Sequence, residues 1–475
     1  MVLMVVINYV TLTKLYFRKE MEIRFMSKLK FILLSLSGFV FFLVPFQWMG
    51  EKKIAISHIV NYITSNMLDT FIYFTMLCAV LVIVGTIVFM FYTSKREYFN
   101  CLFKASGINR IMRIGGSFLY LMVLNNWFNG VRIADLINDP YTGGVMAGEG
   151  GLLTTLYITF FVGLLALPLL THFGAVEFFG ILFGRIVEGL FNVPGYSAVD
   201  AIASFVGDGT IGIVVTDTQY QRGYYNKREA YIIATSFSIV GIAFAAAVAE
   251  ELGFSHIFPI FYGTIALVTF IIAFITSRMP LKKFEPSYFE NVSPVKIQIP
   301  EGKSRFTHAI DRASEEAGKS NVLIALKDAV KGIVNIYVGF LPIIMLVGTF
   351  SLIVAEHMSF FNVISEPLVP FYQFVGYSHE VSSMMAPASL VGFADMYLPA
   401  LFIRDSISES SRFFIGVMAF TQLVFMSETG MVLVKSKIGL NFVDVIKVFI
   451  FRTLLSIPLL LLITRLFVKI GVLTF

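Results

Sequence analysis

GYSAVDAIASFVGDGTIGIVVTDTQYQRGYYNKRE, Gly195 to Glu229, has the length and apolar content of a membrane-crossing segment, yet it carries Asp200, Asp208 and Asp217. An unpaired carboxylate at the bilayer centre costs roughly 2.5–3.5 kcal/mol on insertion scales, so an anchoring helix avoids such residues. Gly207 and Gly209 flank Asp208, and glycines on both sides of it favour a local break in the helix. Broken backbone survives at membrane depth only where it is buried in protein or lines a cavity. The segment reads as a site and not as scaffolding.

The rest of the chain sets that segment in lipid. Of 475 residues, 57% are hydrophobic and 14% charged, with a mean hydropathy of +0.80. A soluble globular chain has about a quarter of its residues charged. Uncharged runs such as 70–94, bounded by Asp69 and Lys95, are long enough to cross roughly 30 Å of hydrocarbon at about 1.5 Å per residue. The alternating strand-sized segments of a β-barrel are absent. These features predict an all-α polytopic membrane protein. The net charge of +5 need not mean a nucleic-acid partner, because lysines and arginines gather in short loops, as cytoplasmic loops do. Cys78 and Cys101 are too few for a metal cluster or a disulfide framework.

Taken in order, residues 1–30 form an N-terminal extension. Its first 25 residues read either as an over-extended start before Met26 or as a surface helix. Residues 31–150 are N-terminal transmembrane helices, about three spans at 31–49, 70–93 and 114–129. The connector 94–113 holds Lys95, Arg96, Lys104, Arg110 and Arg113 and is expected in the cytoplasm, which places the N-terminus there too. A first unit at 151–277 has spans at 151–171, 229–249 and 255–277 around the acid-bearing segment. A polar connector at 278–332, rich in Lys and Arg, is again expected in the cytoplasm. Its 304–331 stretch has helical periodicity and reads as a surface helix or a solvated linker. A second unit at 333–437 has spans at 333–355 and 411–431, and 438–475 holds a last helix.

The two units share motifs in order. Gly195-Tyr196-Ser197 recurs as Gly376-Tyr377-Ser378, and Ala203-Ser204-Phe205-Val206-Gly207 as Ala388-Ser389-Leu390-Val391-Gly392. Each GYS is followed by an acid (Asp200, Glu380) and each ASxVG by another (Asp208, Asp395). Loop charges orient the two units oppositely, which predicts inverted repeats with broken or re-entrant helices. That pattern points to a secondary transporter with its substrate near the midplane, between the repeats.

GYSAVDAIASFVGDGTIGIVVTDTQY followed by GYYNKREAYIIATSFSIV resembles the Gate domain, the nucleoside-recognition domain of bacterial membrane proteins, and within it the YjiH-type family. The resemblance covers roughly residues 30–470. It implies a multi-pass protein of the bacterial cytoplasmic (inner) membrane, related in its Gate units to concentrative nucleoside transporters, to the channel part of ferrous-iron transporters and to sporulation membrane proteins. No GxxxxGK[ST] phosphate loop occurs.

The candidate substrate-binding residues are Ser197, Asp200, Ser204, Asp208, Thr210 and Asp217 in the first unit and His379, Glu380, Ser389, Asp395 and Glu428 in the second. Carboxylates suit a cation or sugar hydroxyls, and neutral hydroxyls suit the edge of a base. Bland readings stand beside these. Asp200 can cap a helix start, Asp217 can lie at the water interface, and His379 can be an interface histidine rather than a proton-responsive partner of Glu380. Pro387 and Pro399 bracket Asp395 and disfavour a regular helix there. Glu428 lies deep in an expected span and needs a partner.

The residues predict a transporter or permease for a small polar solute, with H⁺ or Na⁺ as candidate coupling ions, and the resemblance implies a nucleoside as the first solute to consider. No other cofactor, metal site, catalytic set or nucleic-acid partner is expected. The expected partners are the bilayer, the solute, and either a second copy or another Gate protein. Amino acids, dipeptides and divalent cations are alternative cargoes, and a non-transporting membrane partner is the rival role. A membrane enzyme ranks last, for want of a signature such as HExxH.

Overall fold

The computed structural model describes residues 2–474 apart from 49, 105–106, 141, 149–150, 207–208, 280–283, 295–303, 358–359, 375, 404–407 and 427–428. Among the described residues six helical segments are long and apolar enough to cross a membrane: Arg24–Leu43, Ala55–Phe91, Leu153–Thr171, Ser255–Arg278, Val322–Val354 and Phe442–Lys469. The chain is an all-α polytopic membrane protein. The apolar stretch of Ala55–Phe91 is 22% buried within the protein, against 61% for Leu153–Thr171, so the former presents its flank to lipid and the latter lies inside the bundle.

Several expected spans end or break elsewhere. The first helix stops at Leu43 rather than at residue 49, and Phe46–Trp48 pairs with Glu51–Lys53 in a two-stranded antiparallel hairpin, Phe46 opposite Lys53. Pro45 cannot supply the N–H that would continue the helix, and Gly50 makes the turn at φ +86°. The span expected at 70–93 begins earlier, as part of Ala55–Phe91, which kinks at Met67 (φ −135°, ψ 18°). Gly107–Leu124 is the helix at the position of the third N-terminal span, and it packs on both Ala55–Phe91 and Leu341–His357.

The polar connector is helical as expected, but in two pieces. Arg305–Lys319 begins at Ser304, whose hydroxyl accepts from Thr307 N at 3.2 Å. It buries Ala309, Ala313 and Ala317, one face at intervals of four, against the first helix and Ala175–Phe191. Gly174, at φ +94°, admits this helix: a Cβ there would come within 2.3 Å of Ala313 O. A new helix, Val322–Gly339, starts inside the expected connector, capped by Asn321. The span expected at 333–355 is interrupted at Phe340 and resumes as Leu341–His357, because Pro342 has no N–H to offer the carbonyl one turn back.

The largest departures lie within the two units. The expected span 229–249 is two helices, Lys227–Ser236 and Ile242–Glu251. The expected span 411–431 is likewise Glu409–Thr421 and Thr429–Lys435. Each interrupted helix follows a helical hairpin and precedes a continuous helix. In the first unit the hairpin is Ser197–Val206 with Gly209–Gln221, and the continuous helix is Phe258–Arg278. In the second the hairpin is His379–Val391 with Leu398–Ile403, and the continuous helix is Phe442–Lys469. The C-terminal helix is thus the counterpart in element order of Phe258–Arg278. The units interlock: Phe258–Arg278 packs on Glu409–Thr421 and Phe442–Lys469, and Gly209–Gln221 packs on Thr429–Lys435.

Candidate functional site

The first hairpin brings its acid inward. Asp200 lies in the first turn of Ser197–Val206, is 4% exposed, and accepts from the Tyr225 hydroxyl at 2.5 Å. It is therefore tied to the turn before the interrupted helix rather than capping its own helix. That turn ends at Asn226, whose side chain accepts from Glu229 N at 3.0 Å while Glu229 accepts from Asn226 N at 2.8 Å, a reciprocal cap that fixes the helix start. The Ser204 hydroxyl donates to Asp200 O at 3.1 Å. Ser197 is fully buried, and its hydroxyl has no partner among the described residues. Asp208 lies outside the described residues; Thr210 belongs to the helix Gly209–Gln221, and its side chain is outside them too.

Gly209 is where the hairpin meets the interruption. A Cβ at this position would stand 2.7 Å from Ser238 O and 3.1 Å from Ile239 O, so only glycine lets these backbones approach. The interruption at 237–241 leaves helix-end carbonyls without their usual donors. Tyr262, from Phe258–Arg278, satisfies another such group at the hairpin, donating to Phe205 O at 2.5 Å.

The second unit repeats the arrangement with different chemistry. Its hairpin runs through Pro387 and breaks only at 392–397, where Asp395 is 1% exposed and accepts from Tyr397 N at 2.8 Å. Met426 N, in the interruption of the neighbouring helix, donates to Phe393 O at 2.8 Å. Gln422 spans the same junction: its amide donates to Ser389 O at 2.8 Å and to the Thr453 hydroxyl at 2.9 Å. Gly392 makes room for it, since a Cβ there would lie 2.4 Å from Gln422 Oε1. The Ser389 hydroxyl is buried and shared between Tyr372 Oη and Met385 O, each at 2.6 Å. Glu428 lies outside the described residues.

Three candidates stand apart from these junctions. His379 and Glu380 are exposed in the first turn of the second hairpin, and the ring contact of His379 is to Gln373 at 3.0 Å. Asp217 joins the units: one oxygen accepts from Lys437 N at 2.8 Å and the other from Gln221 Nε2 at 2.9 Å.

Arg452 was not among the expected site residues. It lies in Phe442–Lys469, is 1% exposed, and donates through Nε to Thr421 O at 2.8 Å and through Nη1 to Thr235 O at 3.0 Å. Those carbonyls belong to the last turns of Glu409–Thr421 and Lys227–Ser236, so one guanidinium joins the broken ends of both interrupted helices. An arginine alone in the apolar run VFIFRTLLSIPLLLL is a legible signal, because an ionised side chain in a span faces protein and finds partners there.

A family model described as nucleoside recognition, the Gate domain, matches residues 153–255. The uncharacterized protein BpOF4_10220 of Alkalihalophilus pseudofirmus is 34% identical over 459 residues, 95% of this chain and 97% of that one. Among solved structures, CNTnw in an inward-facing substrate-bound state aligns with a TM-score of 0.44 at 12% identity, over 93% of this chain and 98% of that one. A CNTnw variant in an outward-facing state aligns at 0.47 and 12%, over 86% and 100%.

Proposed function

This chain belongs to the same family as the A. pseudofirmus protein and carries a Gate-domain match of its own, and on that premise we propose that it is a secondary transporter or permease for a small polar solute. The observation that carries the reading is the pairing, in each unit, of a broken hairpin with an interrupted helix. Gly209 abuts the Ser238 and Ile239 carbonyls, and Met426 N bonds Phe393 O. Irregular backbone inside a membrane bundle exposes main-chain donors and acceptors where a polar solute or ion can use them, and repeated broken helices are the mark of transporters that do so.

The matched family description makes a nucleoside the first solute to test. H⁺ and Na⁺ are the candidate coupling ions. Asp200 and Asp395, buried at the hairpins, supply the acidic oxygens of the proposed pathway, and Ser197, Ser204 and Ser389 its hydroxyls. The bacterial inner membrane, with the N-terminus in the cytoplasm, is the proposed setting.

Purified protein in liposomes, given radiolabelled uridine and adenosine under imposed H⁺ and Na⁺ gradients, tests the reading. Uptake above protein-free vesicles, abolished in Asp395→Asn, is expected. Vesicles that stay impermeable to both nucleosides and to a panel of amino acids and dipeptides would defeat it.

A further inference from the structure

The interrupted helices free the two carbonyls that Arg452 takes. In a continuous helix Thr235 O would accept from Ile239 N and Thr421 O from Phe425 N. Instead Ile239 N donates to Phe237 O at 2.9 Å, and Phe425 N to the Thr429 hydroxyl at 3.3 Å. The broken ends therefore converge as a pair of unmet acceptors, and each helix end carries about half a unit of negative charge. Together they offset about one positive charge, which explains how a guanidinium sits 1% exposed with no carboxylate paired to it among the described residues. Adjoining oxygens add to the set. The Ser236 hydroxyl is buried without a partner among the described residues, and the Thr421 hydroxyl meets that of Ser456 at 2.8 Å.

Carbonyls at broken helix ends, with nearby hydroxyls, are ligands of the kind that hold an alkali cation in broken-helix transporters. Here a side chain already supplies the charge, and the planar fork of arginine can reach acceptors on two helices at once. We propose that Arg452 is a tethered cation, filling a site between the two interrupted helices that would otherwise take a free monovalent metal ion. Any coupling ion must then bind elsewhere, and removing the guanidinium opens a cation site that the native protein lacks. The inference uses the same junction as the proposed transport pathway. Its readout is the cation dependence of unfolding, so it stands or falls whether or not the chain carries solute.

The test compares thermal unfolding of detergent-purified wild type, Arg452→Ala, Arg452→Gln and Arg452→Lys in NaCl, KCl or choline chloride at equal ionic strength. Arg452→Ala and Arg452→Gln are expected to gain a saturable stabilisation of a few degrees by Na⁺ or K⁺ over choline, beyond any response of the wild type. Millimolar guanidinium is expected to abolish that gain by occupying the site. Arg452→Lys, which keeps the charge, is expected to respond like the wild type. A purely structural clamp moves the midpoint of the neutral variants equally in all three salts, and that result would overturn the proposal. If neither neutral variant folds, Arg452→Lys decides: a new Na⁺ or K⁺ response despite its ammonium overturns the proposal, and a wild-type response supports it.

Discussion

Gln422 donates its side-chain amide to the main-chain carbonyl of Ser389 at 2.8 Å, fastening the interruption of one helix to the hairpin beside it. Both residues are fully buried, and the same amide also bonds Thr453 Oγ1 at 2.9 Å. A buried acceptor that loses its donor costs about 1–3 kcal/mol. Gln422→Ala should therefore destabilise the protein by about that amount and lower uptake at equal membrane level. Thermal unfolding of the purified variant checks it, and a midpoint equal to that of the wild type speaks against the role.

The two junction glycines should differ in tolerance. Gly209→Ala sets a methyl against two backbone oxygens, at 2.7 and 3.1 Å, whereas Gly392→Ala meets the end of the Gln422 side chain at 2.4 Å. Backbone yields less readily than a side chain, so Gly209→Ala should be the more damaging by about 1–3 kcal/mol. Gly392→Ala combined with Gln422→Ala should cost less than the sum of the single changes. Strict additivity in unfolding measurements would count against the close approach.

Asp200 and Tyr225 should behave as one unit. Tyr225→Phe strips the buried carboxyl of its donor, whereas Asp200→Asn keeps an acceptor for the phenol. A double-mutant cycle on unfolding should give a coupling of about 0.5–3 kcal/mol. Independent effects would mean that the contact contributes nothing.

Asp217 has a part that does not require charge. Its oxygens accept from Lys437 N and Gln221 Nε2, and an asparagine can keep the first of these bonds through its own carbonyl oxygen. Asp217→Asn should retain most uptake, while Asp217→Ala should lose stability by about 1–3 kcal/mol. Loss of uptake in Asp217→Asn at unchanged stability would return this residue to the solute pathway.

At the hairpin between the first two spans, Lys53 gives a pH signature. Burial lowers its pKa, but the Glu250 carboxylate at 2.9 Å and Glu51 outweigh that effect, so the ammonium titrates above its ordinary 10.5. A raised folded pKa means that the contribution is fully present below the unfolded value and is lost as pH rises through the folded one. Stability should fall above about pH 10.5, the ordinary lysine value, and Lys53→Met should flatten that part of the profile. Identical alkaline profiles for the two proteins would exclude the pair as the cause.

Hydropathy, and carboxylates embedded in it, are properties of a short window, so the sequence alone was enough for the membrane class, the division of the 195–229 segment into more than one helix and the weak duplication of GYS and ASxVG. Tertiary structure decided what a window cannot contain. Nothing within 229–249 or 411–431 announces a break strongly, because the carbonyls released there are satisfied from far along the chain: Arg452 reaches Thr235 across 217 positions. The same distance hid the tie from Asp217 to Lys437, across 220 positions, and the exposure of His379 and Glu380. Period and composition report which side chains lipid accepts; which freed backbone group meets which donor depends on the packing of helices remote in sequence.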